Sequence, residues 1–496
     1  MIYLSQENPN LLRTKLKLRN MNKFFTFLLL MVISSSISAQ TNVSGNQSGT
    51  WIYENSPYNV TGNITVPAGE ILTIEAGAEV NFQAYYKFTV LGTLNANGTE
   101  TDSIFFTADN QSTGWGGISL GQSIGGNVTP ADGVSNFSYC KFEFGKTLSG
   151  GEYPDIHGGA IRMINSDAVY SNCVFANNTS LPGEGMGGAI YAINTGSSNN
   201  PVTMFTDCKF LQNVGYSEGG AIKFTSDFNT EITNCEFIDN TTNYGGGAIC
   251  FYSVVDTKVV NCLFVNNLTN YDNGGAIESL GVATNTIFFK NCTMAGNEAS
   301  GGSGGAAALY YADVDFVNCI AYVNSSQYDD DNVYIDAGGS SATVNYCDMI
   351  MPEYNTTGSD NINTDPLFVD AVNGDYHLQA TSPCIDAGTD IGLSFTGTAP
   401  DMGCFEYGMP DKITKIKNHL TEIYPNPTNN LLIIQSEKEI KSIVISDLSG
   451  KNINSIRFDS NSKKIIDVSD LKNGIYFINI LMTDNSVISK KVIILK

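Results

Sequence analysis

The sequence predicts an all-β chain: a right-handed parallel β-helix solenoid followed by a small antiparallel β-sandwich. Three observations predict it. A Gly-Gly motif recurs in register on a period of about 28 residues. The apolar positions inside each repeat fit a chain that bends between short strands. Composition and charge then change near residue 410, which marks a second domain. With 496 residues the chain exceeds one ordinary compact domain, and 49 glycines with 15% charged residues favour a β-rich solenoid or sandwich over a helical protein.

Residues 1–39 read as an export signal region. Met21-Asn22-Lys23 gives a short basic start, Phe24 to Ile33 is an apolar run of ten, and Ser34 to Ala39 is small and polar. Cleavage before Gln40 fits this pattern. Residues 1–20 are either an extended basic leader or an upstream start that is not used. The apolar run is too short for a stable transmembrane helix, and no other run of 18 apolar residues exists, so the mature protein is expected to carry no transmembrane span.

Residues 40–360 form the solenoid, its coils clearest from about residue 55 to about 355. The Gly-Gly doublet recurs at Gly158, Gly187, Gly219, Gly246, Gly274 and Gly304, and five of the six are followed by Ala-Ile. A cysteine follows each doublet: Cys173, Cys208, Cys235, Cys262, Cys292 and Cys319. Five residues after each cysteine stands an asparagine: Asn178, Asn213, Asn240, Asn267, Asn297 and Asn324. Three residues before it the side chain is large and apolar, as in Tyr170, Phe205 and Ile232. Positions three apart on a flat strand face opposite ways. Both can face inward only if the chain bends between them. Asn or Asp immediately precedes each cysteine (Asn172, Asp207, Asn234, Asn261, Asn291, Asn318), and these residues tolerate the left-handed conformation that such a bend needs. Repeating strand, bend, strand and turn on a fixed period winds a coil. Equivalent residues then stack in columns about 4.8 Å apart, so asparagine amides can bond from coil to coil and the cysteines form a buried ladder of thiols. Diverged coils lie upstream through Val60, Ile64, Val80, Phe82, Phe106 and Trp115, and Cys140-x-Phe142 joins the cysteine period.

The GGAI and Cys-x-Phe-x-x-Asn pattern resembles secreted bacterial right-handed β-helix proteins and the GGAI/FxxN repeats of polymorphic outer-membrane proteins. Residues 361–408 hold Asp365-Pro366-Leu367-Phe368, Gly374-Asp375-Tyr376-His377-Leu378, Ser382-Pro383-Cys384-Ile385-Asp386-Ala387-Gly388 and Asp401-Met402-Gly403-Cys404-Phe405-Glu406. This is similar to the β-helix closing module called choice-of-anchor Q. Residues 409–418 then form a linker.

Residues 419–496 alternate as short strands (Leu431 to Ile434, Ile443 to Ile445, Ile475 to Ile480, Val492 to Leu495) with turns at Gly450 and Asn473-Gly474. Tyr424-Pro425-Asn426-Pro427, Asp447-Leu448-Ser449-Gly450-Lys451, Leu471-Lys472-Asn473-Gly474-Ile475-Tyr476 and Lys490-Lys491-Val492 follow in that order. Their order and spacing resemble the type A sorting domain of the type IX secretion system of Bacteroidetes. The resemblance implies the secretion machinery as partner, passage across the outer membrane, and a secreted or surface-held product.

Charge narrows the function. Residues 41–410 carry 39 acidic and 8 basic side chains, a net of 8 − 39 = −31, whereas residues 411–496 carry 9 and 13, a net of 13 − 9 = +4. So negative a field repels nucleic acid and anionic membranes. A uronate lyase needs a base and a positive charge for the developing anion. Asp155, His157 and Arg162 cluster around one Gly-Gly turn, and Arg162 is the only arginine of residues 41–410. Bound Ca²⁺ could replace a missing arginine. A hydrolase needs paired carboxylates, and Asp313 and Asp315 share a strand face about 7 Å apart. Asp329-Asp330-Asp331 offers oxygen ligands for Ca²⁺. Each of these sets also fits a plain solvated surface. Tyr216, Tyr244 and Tyr271 precede successive Gly-Gly doublets, and stacking is expected to bring them onto one flank as a shallow platform for a polysaccharide or a cell-surface glycan. Two readings stand: a non-catalytic glycan binder or adhesin first, and a polysaccharide lyase or glycoside hydrolase as the alternative. Cys384 and Cys404, outside the ladder in an exported chain, are expected to form a disulfide.

Overall fold

The computed structural model describes residues 40–496 except 149–152, 181–182, 197–200, 227, 282–285, 329–331, 410–420, 425–427, 429, 448–451, 473, 483–486 and 495–496. The export signal region lies outside the described residues. The chain divides into two compact units, Met1–Tyr407 and Gly408–Lys496.

The first unit is a right-handed parallel β-helix. One coil shows the plan. After Gly219-Gly220, Ile222–Thr225 joins a sheet of equivalent strands, here called the Gly-Gly sheet. Asn229–Thr233 joins a second sheet, and Glu236–Ile238 joins the cysteine sheet. The short Thr241–Thr242 completes the turn. Left-handed residues make the corners: Ser226, Asn234 and Asp239, with φ of 62°, 54° and 57°. The residue before every repeat cysteine is left-handed, from Asn172 through Asn318, as the parity of the sequence requires. A second left-handed column runs through Asn177, Gln212, Asp239 and Asn266, immediately before the asparagine ladder.

The columns form the core. Phe142, Phe175, Phe210, Phe237 and Phe264 stack with ring centroids 4.7–4.8 Å apart. The asparagine ladder is buried and continuous. Asn213 Nδ2 donates to Asn240 Oδ1 at 3.0 Å and to the Phe175 carbonyl at 2.9 Å, and the pattern repeats from Asn178 to Asn324. Every amide that the bend turns inward thus finds a partner. The cysteine ladder consists of buried free thiols. Gly-Gly recurs for two steric reasons. Gly219 has a φ of +69°, and a Cβ on Gly220 would sit 1.9 Å from the Gly247 carbonyl of the next coil.

Residues 361–408 were expected to close the solenoid. Only their start does so: Ile362 bridges Asp348 as a last rung, and the Asn361 side chain accepts from the Cys347 amide at 2.9 Å. The rest turns back along the side. Phe368, Tyr376, Leu378, Cys384, Met402 and Cys404 pack on Leu263, Val265, Ala295 and Ile320, the outward apolar residues of the cysteine sheet. Asn318 clasps this segment through both side-chain atoms, each 2.8 Å from the Thr389 backbone.

This placement overturns the expected disulfide. Cys384 and Cys404 are free thiols. Cys384 Sγ donates to Asp348 Oδ2 at 3.2 Å, while the Cys404 amide donates to Thr293 Oγ1 at 3.1 Å. Thr293 pairs with Ile320 and Ile320 with Asp348, so the two anchors are two rungs apart, roughly 10 Å at the inter-strand spacing. Burial pushes the Cys404 thiol up to about 12.

The second unit is a five-stranded antiparallel sheet. Its first long strand, Leu431–Asp447, changes register between Gln435 and Ile440 and so pairs with Asn452–Asp467 along two segments. The alternating Leu432, Ile434, Ile443, Ile445, Ile478, Ile480, Val492 and Ile494 form its core.

Candidate functional site

In each Gly-Gly strand the residue after Ile points away from the core. Register aligns Arg162, Tyr191, Lys223, Cys250 and Glu278 on successive coils. An outward column on a solenoid ordinarily meets water. This one does not: these five residues are 0–2% exposed, because the turn before each doublet folds over the strand.

The sequence candidates Asp155, His157 and Arg162 lie at its first end, and the structure brings them together. Arg162 donates to the carbonyls of Gly116 at 2.6 Å, His157 at 3.2 Å and Gly158 at 3.3 Å, and its Nε stands 3.6 Å from Asp155 Oδ1. Asp155 also pairs with Lys87. His157 Nδ1 accepts from the Met186 amide at 3.1 Å, and the ring stacks on Tyr191 at 4.3 Å. Burial, with Arg162 and Lys223 adding, lowers its pKa to about 4, so the ring is neutral. The cluster is a knot that fastens a turn. Its cation is spent on carbonyls and its imidazole is walled in.

Farther along, Lys223 pairs with Glu218 and lies 3.1 Å from Cys250 Sγ and 5.2 Å from the Tyr252 ring centroid. Burial pulls the ammonium pKa down, but Cys250 and Glu218 outweigh it and leave the pKa raised. Cys250 Sγ lies 3.8 Å from Glu218 Oε2 and 3.7 Å from Glu278 Oε2. Burial, then the charges of Asp272 and Glu218, push the Glu278 carboxyl up to about 8. Glycine makes room for it: a Cβ on Gly245 would lie 1.7 Å from Glu278 Oε2. None of Lys223, Cys250 and Glu278 figured among the sequence candidates. The signal was present, a large or ionisable residue after Ile in each Gly-Gly-Ala-Ile from Arg162 to Glu278.

Asp313 and Asp315 do share the outer face of the second sheet, apart from this column. Asp313 Oδ1 accepts from Ser341 Oγ at 2.5 Å. Burial raises the Asp315 carboxyl and Lys290 lowers it. Asp329, Asp330 and Asp331 lie outside the described residues, and among the described residues no group of three or more His, Cys, Asp or Glu could hold a metal ion.

The tyrosines are the exposed feature. Tyr244 and Tyr271 are 44% and 68% exposed, with ring centroids 6.0 Å apart. Beside them Asn270 Nδ2 donates to Asn243 Oδ1 at 3.1 Å. Tyr216 departs from the expected column. Gly215 pairs with Thr242, which sets Tyr216 level with Asn243, one position from Tyr244. Tyr216 follows the ladder residue Asn213 by three positions, whereas Tyr244 and Tyr271 follow Asn240 and Asn267 by four, which sets its ring out of line.

Residues 422–495 match the family model described as the secretion system C-terminal sorting domain. No curated protein matches the chain. Among solved structures it is similar to the pectate lyase Pel9A, at 12% identity and a TM-score of 0.33, over 69% of this chain and 88% of that one. No helix among the described residues is long and apolar enough to cross a membrane. The protein is a β-helix handed to the secretion machinery by its C-terminal domain, and it is secreted or held at the outer cell surface.

Proposed function

We propose that the β-helix is a non-catalytic, adhesin-like binder of neutral glycan chains. The observation that carries this reading is the pair of exposed rings of Tyr244 and Tyr271, one coil apart and flanked by the Asn243 and Asn270 amides. Such rings offer apolar faces to sugar C–H groups, and the amides offer hydrogen bonds to hydroxyls. The rings ride on a rigid stack, so little order is lost on binding. The net charge of −31 on residues 41–410 (8 − 39) disfavours polyuronates. The lyase alternative has less support, since Arg162 is fully buried on backbone carbonyls and His157 is 3% exposed.

The test is affinity electrophoresis of the purified protein in gels carrying neutral or uronate polysaccharides, with and without Ca²⁺, followed by assay of the polymer. Retardation by a neutral polymer with no new reducing or unsaturated ends is the expected result. Product formation, or retardation by pectate alone, would overturn the proposal.

A further inference from the structure

Of the eleven cysteines, eight lie in the core ladder, where thiols donate to backbone carbonyls, as Cys235 Sγ does to the Thr233 carbonyl at 3.3 Å. Cys384 and Cys404 sit under the segment that folds back. Cys250 alone among them is placed against an ammonium group. Lys223 and Cys250 are register partners on adjacent coils, with Nζ 3.1 Å from Sγ. Parallel neighbours point the same way, which makes a poor disulfide but sets a long lysine alongside a short cysteine. Both are buried, while the Glu218 side chain that pairs with Lys223 is 25% exposed and brings the edge of the pair near solvent.

We propose that Lys223 and Cys250 form a covalent Nζ–O–Sγ bridge on oxidation by dioxygen, stapling two successive coils of the solenoid. The step balances. One ammonium, one thiol and one dioxygen give the bridged pair, one water and one proton. The N–H and S–H bonds break, N–O and O–S bonds form, and nitrogen and sulfur each give up two electrons. One oxygen atom enters the bridge and the other leaves as water. Two carboxyls flank the pair to move the protons. Glu218 pairs with the ammonium and can accept from it, and Glu278, 3.7 Å from Sγ, is held in its protonated form at neutral pH by burial. A separation of 3.1 Å is short enough for one bridging oxygen once the side chains relax slightly. The chemistry suits an exported protein, which leaves the reducing interior of the cell.

The full chain is purified under reductant without oxygen, and half is then exposed to air. Tryptic peptides of both halves are read by mass spectrometry. In the aired sample, cleavage after Lys223 is expected to be lost. The peptides 210–223 and 224–258, which carry Lys223 and Cys250, should appear instead as one uncut 210–258 species, heavier than the linear 210–258 sequence by one oxygen less two hydrogens. A thiol reductant should restore both peptides. Cys250→Ser and Lys223→Arg should each abolish the joined species, and an air-dependent rise in Tm should vanish in Cys250→Ser. Unaltered cleavage after Lys223 in aired protein, or oxidation of Cys250 alone to a sulfinic acid, would overturn the bridge. Either result leaves the glycan reading untouched, because the tyrosine flank does not depend on this pair.

Discussion

The Gly-Gly sheet and the cysteine sheet both hide part of their outer faces, and they do so with opposite chemistry. Over the cysteine sheet a returning segment lays Phe368, Tyr376, Leu378 and Met402 on Leu263, Val265, Ala295 and Ile320. Over the Gly-Gly sheet, turns close on Arg162, Lys223, Cys250 and Glu278. The first face gains stability from every apolar group it removes from water. The second holds only while each charge keeps its partner. The contrast shows that an outward residue on a solenoid records what covers it. Leu263 and Ile320 call for an apolar cover, whereas Lys223 and Glu278 call for one that supplies charge or a proton.

The strongest way to break the comparison is to put the wrong chemistry on the apolar face. Ile320→Asp places a carboxylate at a site only 1% exposed, in the apolar cluster that holds Met402 and Leu378. A loss of about 4 kcal/mol or more is expected, and residues 365–407 should become sensitive to protease before the coils unfold. A loss within measurement error in urea unfolding would show that this segment does not seal the face. The reciprocal change is Lys223→Met, which keeps bulk but removes the cation. Because Glu218 retains some solvent and Glu278 is neutral, the cost should be smaller, roughly 2–3 kcal/mol.

Much of the solenoid was legible because its signals are periodic. Left-handed Asn172, Asp207 and Asn234 follow from parity alone, and the ladder from Asn178 to Asn324 follows from stacking. The buried column was less legible. Lys223 and Glu278, each one position after a core isoleucine, lie outside the core cluster, and only the fold of the preceding turns shows that they are covered. The turned-back segment was missed for a related reason. Leu263 and Ile320 read as ordinary strand residues between the core positions Cys262 and Phe264 or Cys319 and Ala321, and nothing local says that a chain from residues 365–407 returns to them. That return also explains why Cys384 and Cys404, close in sequence type and module, have different partners.

Titration sharpens the same contrast, because the polar face holds a glutamate and a histidine whose pKa values are moved in opposite directions into the range from about 4 to about 8. Glu278 holds its proton up to about 8 when folded, well above its ordinary 4.5. Between those values the folded chain binds the proton and the unfolded chain does not. Stability from this group is therefore full below about pH 4.5 and falls as pH rises towards 8. His157 works in the other direction. Its folded value of about 4 lies below 6.5, so stability is lost as pH falls from 6.5 towards 4. The windows overlap from about 4.5 to 6.5, where the two slopes oppose each other, so a plateau there and a decline from about 6.5 to 8 are expected. Glu278→Gln should remove that decline, roughly 2 kcal/mol between pH 6.5 and 8, and let the rise due to His157 run unopposed up to about pH 6.5. An alkaline limb that persists in Glu278→Gln assigns the decline to another group.

The smallest effect on stability is expected where neither kind of cover exists. Tyr244 and Tyr271 stand on the rim of the polar face, exposed rather than roofed, with ring centroids 6.0 Å apart. Truncating an exposed ring leaves no cavity, so Tyr244→Ala with Tyr271→Ala should cost less than about 1 kcal/mol. Binding should behave differently. If the rings form one surface, removing either takes half of a stacking platform, and each single change should weaken retention of a neutral polysaccharide by about tenfold, near 1.4 kcal/mol. The double change should abolish it. Tyr216 provides the internal control. It sits on the same flank but level with Asn243 rather than Tyr244, so it adds no third rung to the pair. Tyr216→Ala is expected to change retention by less than about twofold, below 0.5 kcal/mol. Equal losses from all three single variants would mean that register does not matter on this rim. The platform would then be a loose aromatic patch rather than a ladder set by the coils.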